Sequence, residues 1–163
     1  MTDRTVLATL AGGYSVVQAI ESDVPAIVAM LVDDEIAQDR EIGASDVGYH
    51  RAFAAIDDDP GQLLVLVLDP AGDTVGTLQL SFIPGLSRYG ATRALVEAVR
   101  VSSAVRGTGI GTRFIQWAID YSRDRGAAMI QLTTDQRRTD AHRFYRRLGF
   151  QGSHLGMKLP LTD

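Results

Sequence analysis

The second half of the chain shows two kinds of hydrophobic spacing in succession. Residues 94–101 form an apolar run of strand length that only Glu97 and Arg100 interrupt, which is typical of a largely buried strand. From residue 110 the apolar side chains recur every three or four positions, which predicts an amphipathic helix from about residue 109 to residue 125. Its apolar stripe contains Ile110, Phe114, Ile115, Trp117, Ala118, Ile119 and Tyr121.

A second strand and a second helix follow. Residues 129–134 have high β propensity and strand length, and the order strand, helix, strand implies a right-handed parallel crossover. Thr139 or Asp140 can cap the next helix, which ends at Gly149. This helix carries Ala141, Phe144, Tyr145 and Leu148. We expect a final strand at residues 154–159.

The first half of the chain predicts a mixture of strands and helices. Ser22 or Asp23 can cap a helix, and the turn residues 69–73 separate two apolar runs of a β-hairpin. The expected elements are a strand at 14–19, helices at 24–32 and 46–56, and hairpin strands at 63–68 and 74–82, followed by a loop at 83–90. The pattern therefore predicts an α/β protein whose 163 residues form one domain, 1–163.

Composition excludes several classes of protein. The net charge of −4 argues against a general nucleic-acid binder, which needs a basic surface. There is no cysteine, so disulfides, thiolate zinc sites and a cysteine acyl intermediate are excluded, and the three histidines lack metal-ligand spacing. No apolar run approaches the roughly 20 residues that span a bilayer, and the N-terminus has no export signal. We therefore expect a cytoplasmic protein without a metal.

A glycine-spaced turn lies between the strand at 94–101 and the following helix. Gly107, Gly109 and Gly111 permit a tightly curled backbone, and the N–H groups at the start of a helix are unpaired and point outward. Phosphate oxygens suit such a site. The spacing matches neither the dinucleotide fingerprint nor the nucleotide triphosphate loop, which ends in Gly-Lys-Ser/Thr.

Two motifs resemble those of the GCN5-related N-acetyltransferase (GNAT) superfamily. Arg106, Gly109 and Gly111 fit the pattern Arg/Gln-x-x-Gly-x-Gly/Ala, and residues 141–150 fit Ala-x-x-Phe-Tyr-x-x-Leu-Gly-Phe. The resemblance implies a central, mostly antiparallel mixed sheet with a splayed parallel pair of strands at the acetyl-CoA site, flanked by helices. It also implies an acceptor-side half at 14–92 and an acetyl-CoA-binding half at 93–160.

The resemblance implies how acetyl-CoA is held as co-substrate. The loop of Arg106, Gly107, Thr108, Gly109, Ile110, Gly111 and Thr112 would bind the pyrophosphate. The strand would bulge and splay from its parallel neighbour, so that backbone groups of Val99, Arg100 and Val101 hold the pantetheine arm. Arg138 stands where many members have Asn; it either meets the cofactor or is a solvated arginine. The basic residues Arg137, Arg143, Arg146 and Arg147 fit a solvated helix face better than a surface that steers the cofactor.

Acetyl transfer to an amine needs a base and an acid. Glu97, inside the apolar strand, resembles a strand glutamate that serves as the base in some members; otherwise it is a half-exposed residue or pairs with Arg93 or Arg100. Tyr145 would donate to the leaving thiolate; otherwise Phe144 and Tyr145 are simply adjacent aromatics. Whether Glu97 acts directly or through water stays open.

The acceptor stays open in the sequence. The resemblance favours a primary amine of a small molecule over a protein or peptide, because there is no appended recognition domain. The acidic run at 33–35 is a solvated turn or attracts a cationic amine. An acyl-CoA-binding sensor without turnover is the competing class, and acyl groups other than acetyl are not excluded. The resemblance also implies a homodimer, for which the sequence shows no interface.

Overall fold

A computed structural model describes residues 4–33 and 47–161. Its strands are β1 Val6–Leu10, β2 Tyr14–Gln18, β3 Gln62–Leu68, β4 Thr74–Ile83, β5 Arg93–Val101 and β6 Met129–Leu132. They form one six-stranded sheet in chain order. Neighbouring strands are antiparallel from β1 to β5, whereas β5 and β6 are parallel.

Helices flank this sheet and confirm the predicted α/β class. They are α1 Val24–Val32, α2 Val47–Asp57, α3 Ser87–Gly90, α4 Ile110–Asp124 and α5 Thr139–Arg147. The third is a single turn with left-handed backbone, because φ is 55° at Arg88 and 59° at Tyr89. The mostly antiparallel sheet with one parallel pair is the arrangement that the resemblance implies.

Two hydrophobic clusters cover opposite faces of the sheet, as the alternation along β3 requires. Val65 and Val67 are fully buried in the cluster that contains Phe114 of α4. Leu66, between them, packs with Val28 of α1 and Phe53 of α2 in the second cluster. The start of α4 is therefore fixed against one face, and α1 and α2 cover the other.

The periodicity of α4 predicts its buried face correctly. Ile110, Phe114 and Ala118 are buried, and the rings of Phe114 and Trp117 stack with centroids 6.0 Å apart. Large apolar side chains at this spacing stabilise a helix mainly through tertiary packing. Burial along this stripe sets the direction in which the N-terminus of α4 points.

One strand is absent from the sequence prediction. β1 pairs with β2 across a tight turn in which Gly12 has φ 89° and Gly13 has φ 78°. Left-handed backbone at two consecutive turn residues is what a short antiparallel connection favours. The predicted first strand at 14–19 is therefore the second strand of a hairpin.

The expected strand at residues 154–159 is wrong. The described chain has no strand after α5, and Leu155, Met157 and Leu159 are 76%, 89% and 82% exposed. A strand needs a hydrogen-bonded neighbour, but β6 ends at Leu132, two residues earlier than predicted. Gly156 passes beside Thr133 beyond that end, where a Cβ on the glycine would lie 3.9 Å from the threonine methyl group.

Part of the predicted acceptor side lies outside the described residues. This applies to Asp34 and Glu35 of the acidic run and to the first residue of the helix predicted at 46–56. Asp33 is exposed at the C-terminal cap of α1. Within residues 4–33 and 47–161, no helix is both long and apolar enough to cross a bilayer.

Candidate acetyl-CoA and amine site

A β-bulge interrupts β5 in the middle of the predicted site. Glu97 pairs with Gln79 of β4 and Arg100 pairs with Thr77, so three steps along β5 match two steps along β4. Ala98 is the extra residue, with a left-handed φ of 53°. Residues paired across antiparallel strands project from the same face, so the bulge brings Glu97 and Arg100 onto one face of the sheet.

The parallel neighbour of β5 stops before the bulge. The pairs between β5 and β6 run from Arg93 opposite Met129 to Val96 opposite Leu132, whereas β5 continues to Val101. The backbone of residues 99–101 therefore faces a gap on the side where β6 would continue. Nη1 of Arg100 donates a 2.8 Å hydrogen bond to the carbonyl oxygen of Val99 in this segment, and a carbonyl oxygen can accept a second bond.

The glycine turn after β5 has the open backbone that its sequence predicts. Gly107 and Gly109 have φ of 82° and 81°, a conformation that residues with a Cβ rarely adopt. Gly109 is the N-cap of α4, and its carbonyl oxygen accepts from the N–H of Arg113 at 3.2 Å. The N–H of Ile110 donates to Oγ1 of Thr108 at 3.4 Å, and the next two N–H groups of α4 are left to point outward. A Cβ on Gly107 would meet nothing within 4 Å. The loop fits a phosphate group.

Helix α5 lies next to the start of α4. A Cβ on Gly111 would lie 3.8 Å from a methyl group of Val101 and 3.9 Å from Cζ of Phe144. These are ordinary van der Waals distances, so Gly111 lies within contact range of both β5 and α5, beside the passage between β5, α4 and α5. The two sequence motifs therefore meet in space.

Tyr145 on α5 is partly buried between aromatic rings. Its ring makes edge contacts with Phe144 at 5.1 Å and Phe150 at 5.6 Å between centroids. Burial raises the pKa of the Tyr145 phenol, while the positive charges of Arg100 and Arg138 act in the opposite direction. The phenol is therefore protonated at neutral pH and can donate a hydrogen bond.

Glu97 is exposed on β5. Among the described residues it forms no ion pair with Arg93 or Arg100, so the structural pairing that the sequence leaves open does not occur. The described chain instead has a carboxylate on the surface beside the bulge. Arg100 projects from the same face, and its positive charge acts to lower the pKa of the Tyr145 phenol.

Some predicted residues lie away from this passage. Thr112 lines a groove of about 490 Å³ between β1 and α4. Arg106 is exposed at the C-terminal cap of the short helical turn before the loop. Arg138 precedes α5, and its positive charge acts on the pKa of the Tyr145 phenol.

Two arginines of the basic cluster at α5 form salt bridges with neighbouring acids. Arg137 forms a 2.9 Å salt bridge with Asp135, and Arg143 forms one with Asp140. Both arginine side chains are well exposed, and such surface pairs stabilise a protein little. These contacts favour the solvated helix face over a surface that steers the cofactor.

Sequence reasoning missed one polar group beside the site. Oγ1 of Thr134, just past the end of β6, is buried and has no hydrogen-bond partner among residues 4–33 and 47–161. Buried hydroxyl groups normally have a partner, which makes Thr134 a candidate ligand contact. The sequence indicated it only as the last residue of a strand.

The described residues contain no cluster of three or more potential metal ligands. His142 Nε2 lies 2.9 Å from the carbonyl oxygen of Asp135. The other two histidines are elsewhere: His50 lies near Glu21 and His154 bonds with Ser153. The arrangement thus offers a glycine turn at a helix N-terminus, an exposed carboxylate on β5 and a partly buried phenol on α5.

Comparison with known proteins identifies the class to which this fold and site belong. The sequence model of the acetyltransferase (GNAT) family matches residues 25–150. The chain belongs to the GNAT family.

Two relatives and one structural neighbour are the most informative. An aminoalkylphosphonate N-acetyltransferase of Salmonella typhimurium (strain LT2) is 36% identical over 84 residues, 52% of this chain and 54% of that protein; the chain spans about half the length of this curated relative. A structure described as a transcriptional regulator from Bacillus halodurans C-125 is 41% identical, with TM-score 0.87, over 91% of this chain and 99% of that one. A predicted acetyltransferase with acetyl-CoA from Clostridium acetobutylicum shares the fold at 16% identity and TM-score 0.71, over 91% and 96%.

Proposed function

We propose that the protein is an acetyl-CoA-dependent N-acetyltransferase that acetylates a primary amine of a small molecule by direct attack. The observation that carries the proposal is the bulge at Ala98. The strand segment after the bulge is open because β6 ends at Leu132, and Glu97 lies beside that segment. The family membership and the name of the Salmonella relative support acyl transfer.

The chain offers three sets of contacts to acetyl-CoA, which supplies an activated thioester. The backbone N–H groups at the start of α4 would bind the pyrophosphate, helped by the positive end of the helix dipole and by Arg106. The backbone of residues 99–101 would pair with the amides of the pantetheine arm as a missing strand would. Thr134 is positioned to add a hydroxyl contact.

Glu97 is the proposed general base. An alkyl ammonium with a pKa of about 10 is neutral in only about one molecule in a thousand at pH 7. The exposed carboxylate can remove the proton directly or through one water. Its position on β5, one residue before the bulge, puts it beside the segment that would hold the thioester.

Tyr145 is the proposed donor to the leaving thiolate. The conjugate thiol has a pKa of about 8.5, below that of the phenol, which burial raises. Full proton transfer is therefore unfavourable, and a hydrogen bond to the developing thiolate is the better description. Arg100 and Arg138 favour the same negative charge on the sulfur, because both lie close enough to affect the phenol.

The test is release of free thiol from acetyl-CoA with a panel of amines. The chain has no cysteine, so every thiol detected comes from CoA. The panel should include aminoalkylphosphonates, because the Salmonella relative is named for them, together with amino acids, polyamines, aminoglycosides and short peptides. Release that depends on a small amine supports the proposal, and preference for peptides would overturn the small-molecule assignment.

A sensor that binds acyl-CoA without turnover is the second candidate. It is favoured by the description of the Bacillus halodurans structure as a transcriptional regulator. The net charge of −4 disfavours direct binding to DNA. The sensor would be favoured if calorimetry shows that acetyl-CoA binds but no amine in the panel causes the release of free thiol from it.

A further inference from the structure

A row of polar side chains crosses the sheet and ends at Glu97. Gln62 of β3 pairs with Ser81 of β4, and Gln79 of β4 pairs with Glu97 of β5. Paired residues of antiparallel strands project from the same face, and side chains two positions apart on one strand share a face. Leu64, the partner of Gln79 on β3, packs against the cluster under α1 and α2. The row therefore lies on the face of the sheet that these two helices cover.

Hydrogen bonds within the row fix the orientation of the Gln79 side-chain amide. Oε1 of Gln62 accepts from Nε2 of Gln79 at 3.0 Å and from Oγ of Ser81 at 2.7 Å. These two donors use both lone pairs of the Gln62 oxygen, and Ser81 is buried, with 6% of its surface exposed. Because Nε2 of Gln79 is directed to β3, Oε1 of the same planar amide is directed away from Gln62.

The row leaves one hydrogen-bond acceptor beside the proposed base. Within residues 4–33 and 47–161, Oε1 of Gln79 accepts no hydrogen bond and Glu97 forms no ion pair. The Cβ atoms of directly opposed residues in antiparallel strands are about 4.5–5.5 Å apart. The amide oxygen and the carboxylate can therefore contact a single nitrogen atom that lies between them and carries two or more hydrogens.

We propose that Gln79 binds the acceptor nitrogen and selects primary over secondary amines. This inference rests on the N-acetyltransferase function proposed above. Oε1 of Gln79 accepts one N–H of the acceptor, while Glu97 removes another proton from the same nitrogen. Gln62 and Ser81 act through Gln79, because they hold its amide in the orientation that presents the oxygen.

The proton balance explains the preference for a primary amine. A primary ammonium has three N–H bonds, of which Glu97 removes one. As the nitrogen bonds to the acetyl carbon and the bond from that carbon to sulfur breaks, a second proton passes from nitrogen to sulfur. The third N–H remains in the amide product and keeps its hydrogen bond to Gln79. A secondary amine gives an amide without an N–H, so it loses this hydrogen bond as the reaction proceeds.

Two stable analogues that join CoA to an amide test the contact without turnover. In the first, the CoA sulfur carries an N-methylacetamide group through its acetyl carbon, and in the second it carries an N,N-dimethylacetamide group. The two differ in one N–H at the position of the acceptor nitrogen. Affinities for both analogues and for CoA itself are measured by calorimetry. We expect wild type to bind the N–H analogue about 3- to 10-fold more tightly, the value of one neutral hydrogen bond.

Substitution assigns this preference to Gln79. Gln79→Met keeps the length of the side chain but removes its acceptor, so the variant should lose the preference for the N–H analogue and bind CoA as wild type does. Gln116→Met, which removes an exposed glutamine of α4, is the matched control and should keep the preference.

The outcomes separate this inference from the proposed function. Equal binding of the two analogues by wild type, or an N–H preference that survives in Gln79→Met, would overturn the role of Gln79 and leave the transferase function standing. Absence of CoA binding to wild type would instead refute the transferase proposal and this inference with it.

A double-mutant cycle tests Gln62 as a positioning residue. Gln62→Met frees the Gln79 amide to rotate, so the N–H preference should fall part of the way. The same change made in Gln79→Met should have no further effect on that preference. An equal loss of affinity for both analogues, the same in both backgrounds, would show that Gln62 serves only the sheet and would refute its positioning role.

Discussion

Replacing Glu97 by glutamine tests the proposed base with little change in shape. The side chain is exposed and makes no ion pair among the described residues. A surface change of this kind alters the free energy of unfolding by about 0.5 kcal/mol or less. Any large loss of activity in Glu97→Gln therefore reports chemistry and not folding.

The expected loss follows from the protonation of the amine. About one amine molecule in a thousand is neutral at pH 7, and a positioned base contributes about 10²- to 10⁴-fold. We expect kcat/KM of Glu97→Gln to fall at least about 100-fold at pH 7. The difference from wild type should shrink as the pH approaches the amine pKa of about 10, because neutral amine then needs no base.

The assay follows thiol release between pH 7 and pH 10 at saturating acetyl-CoA. Asp124→Asn, which removes an exposed carboxylate at the far end of α4, is the matched control and should leave the rate unchanged. Calorimetry with acetyl-CoA should give equal affinities for both variants and wild type. A Glu97→Gln variant with wild-type activity at pH 7 would refute the assignment of the base.

Three further predictions concern the acid, the glycine turn and the fold. Tyr145→Phe keeps the aromatic packing but removes the donor, so kcat should fall about 10- to 100-fold with acetyl-CoA affinity unchanged; because burial raises the phenol pKa, thiol-release assays of wild type should show no loss from Tyr145 deprotonation below about pH 10. Gly109→Ala places a Cβ on a residue with φ 81° and should weaken the binding of acetyl-CoA measured by calorimetry. Gly126→Ala, at φ 79° beyond the end of α4, is the control. Each variant should lower the free energy of unfolding by about 1–2 kcal/mol, but Gly126→Ala should leave binding unchanged. Asp23→Asn weakens the ion pair of the buried Asp23 with Arg4 and should lower the free energy of unfolding in urea by about 1–3 kcal/mol; an unchanged urea midpoint would contradict this.

The sequence predicts the elements that local patterns determine. The stripe of α4 and the hairpin of β3 and β4 were visible because burial repeats at a fixed interval in each. β1 was missed although Gly12 and Gly13 are a recognisable hairpin signal. The pattern at 154–159 shows only that the segment is compatible with an extended strand. Whether it forms one depends on a hydrogen-bonded neighbour, and β6 ends too early to provide it.

The site was less predictable than the fold. The glycine turn carries its own signal, but the neighbours of each side chain depend on the bulge. No sequence rule assigns left-handed backbone to an alanine, so simple alternation would put Arg100 on the wrong face. The effect of Arg100 on Tyr145 likewise depends on how α5 packs against β5. The roles of these residues stay predictions.

The bulge at Ala98 shifts by one residue the alternation of side chains between the two faces of the sheet. Before it, the even-numbered Val96 faces the core under α4, and after it the odd-numbered Val99 and Val101 do so. The face that carries Glu97 therefore presents odd-numbered residues before Ala98 and even-numbered residues after it. Residues on either side of the bulge can change without altering the pattern of the other side. Gain or loss of one residue at Ala98 would instead exchange the core positions with the positions of the opposite face for the rest of the strand.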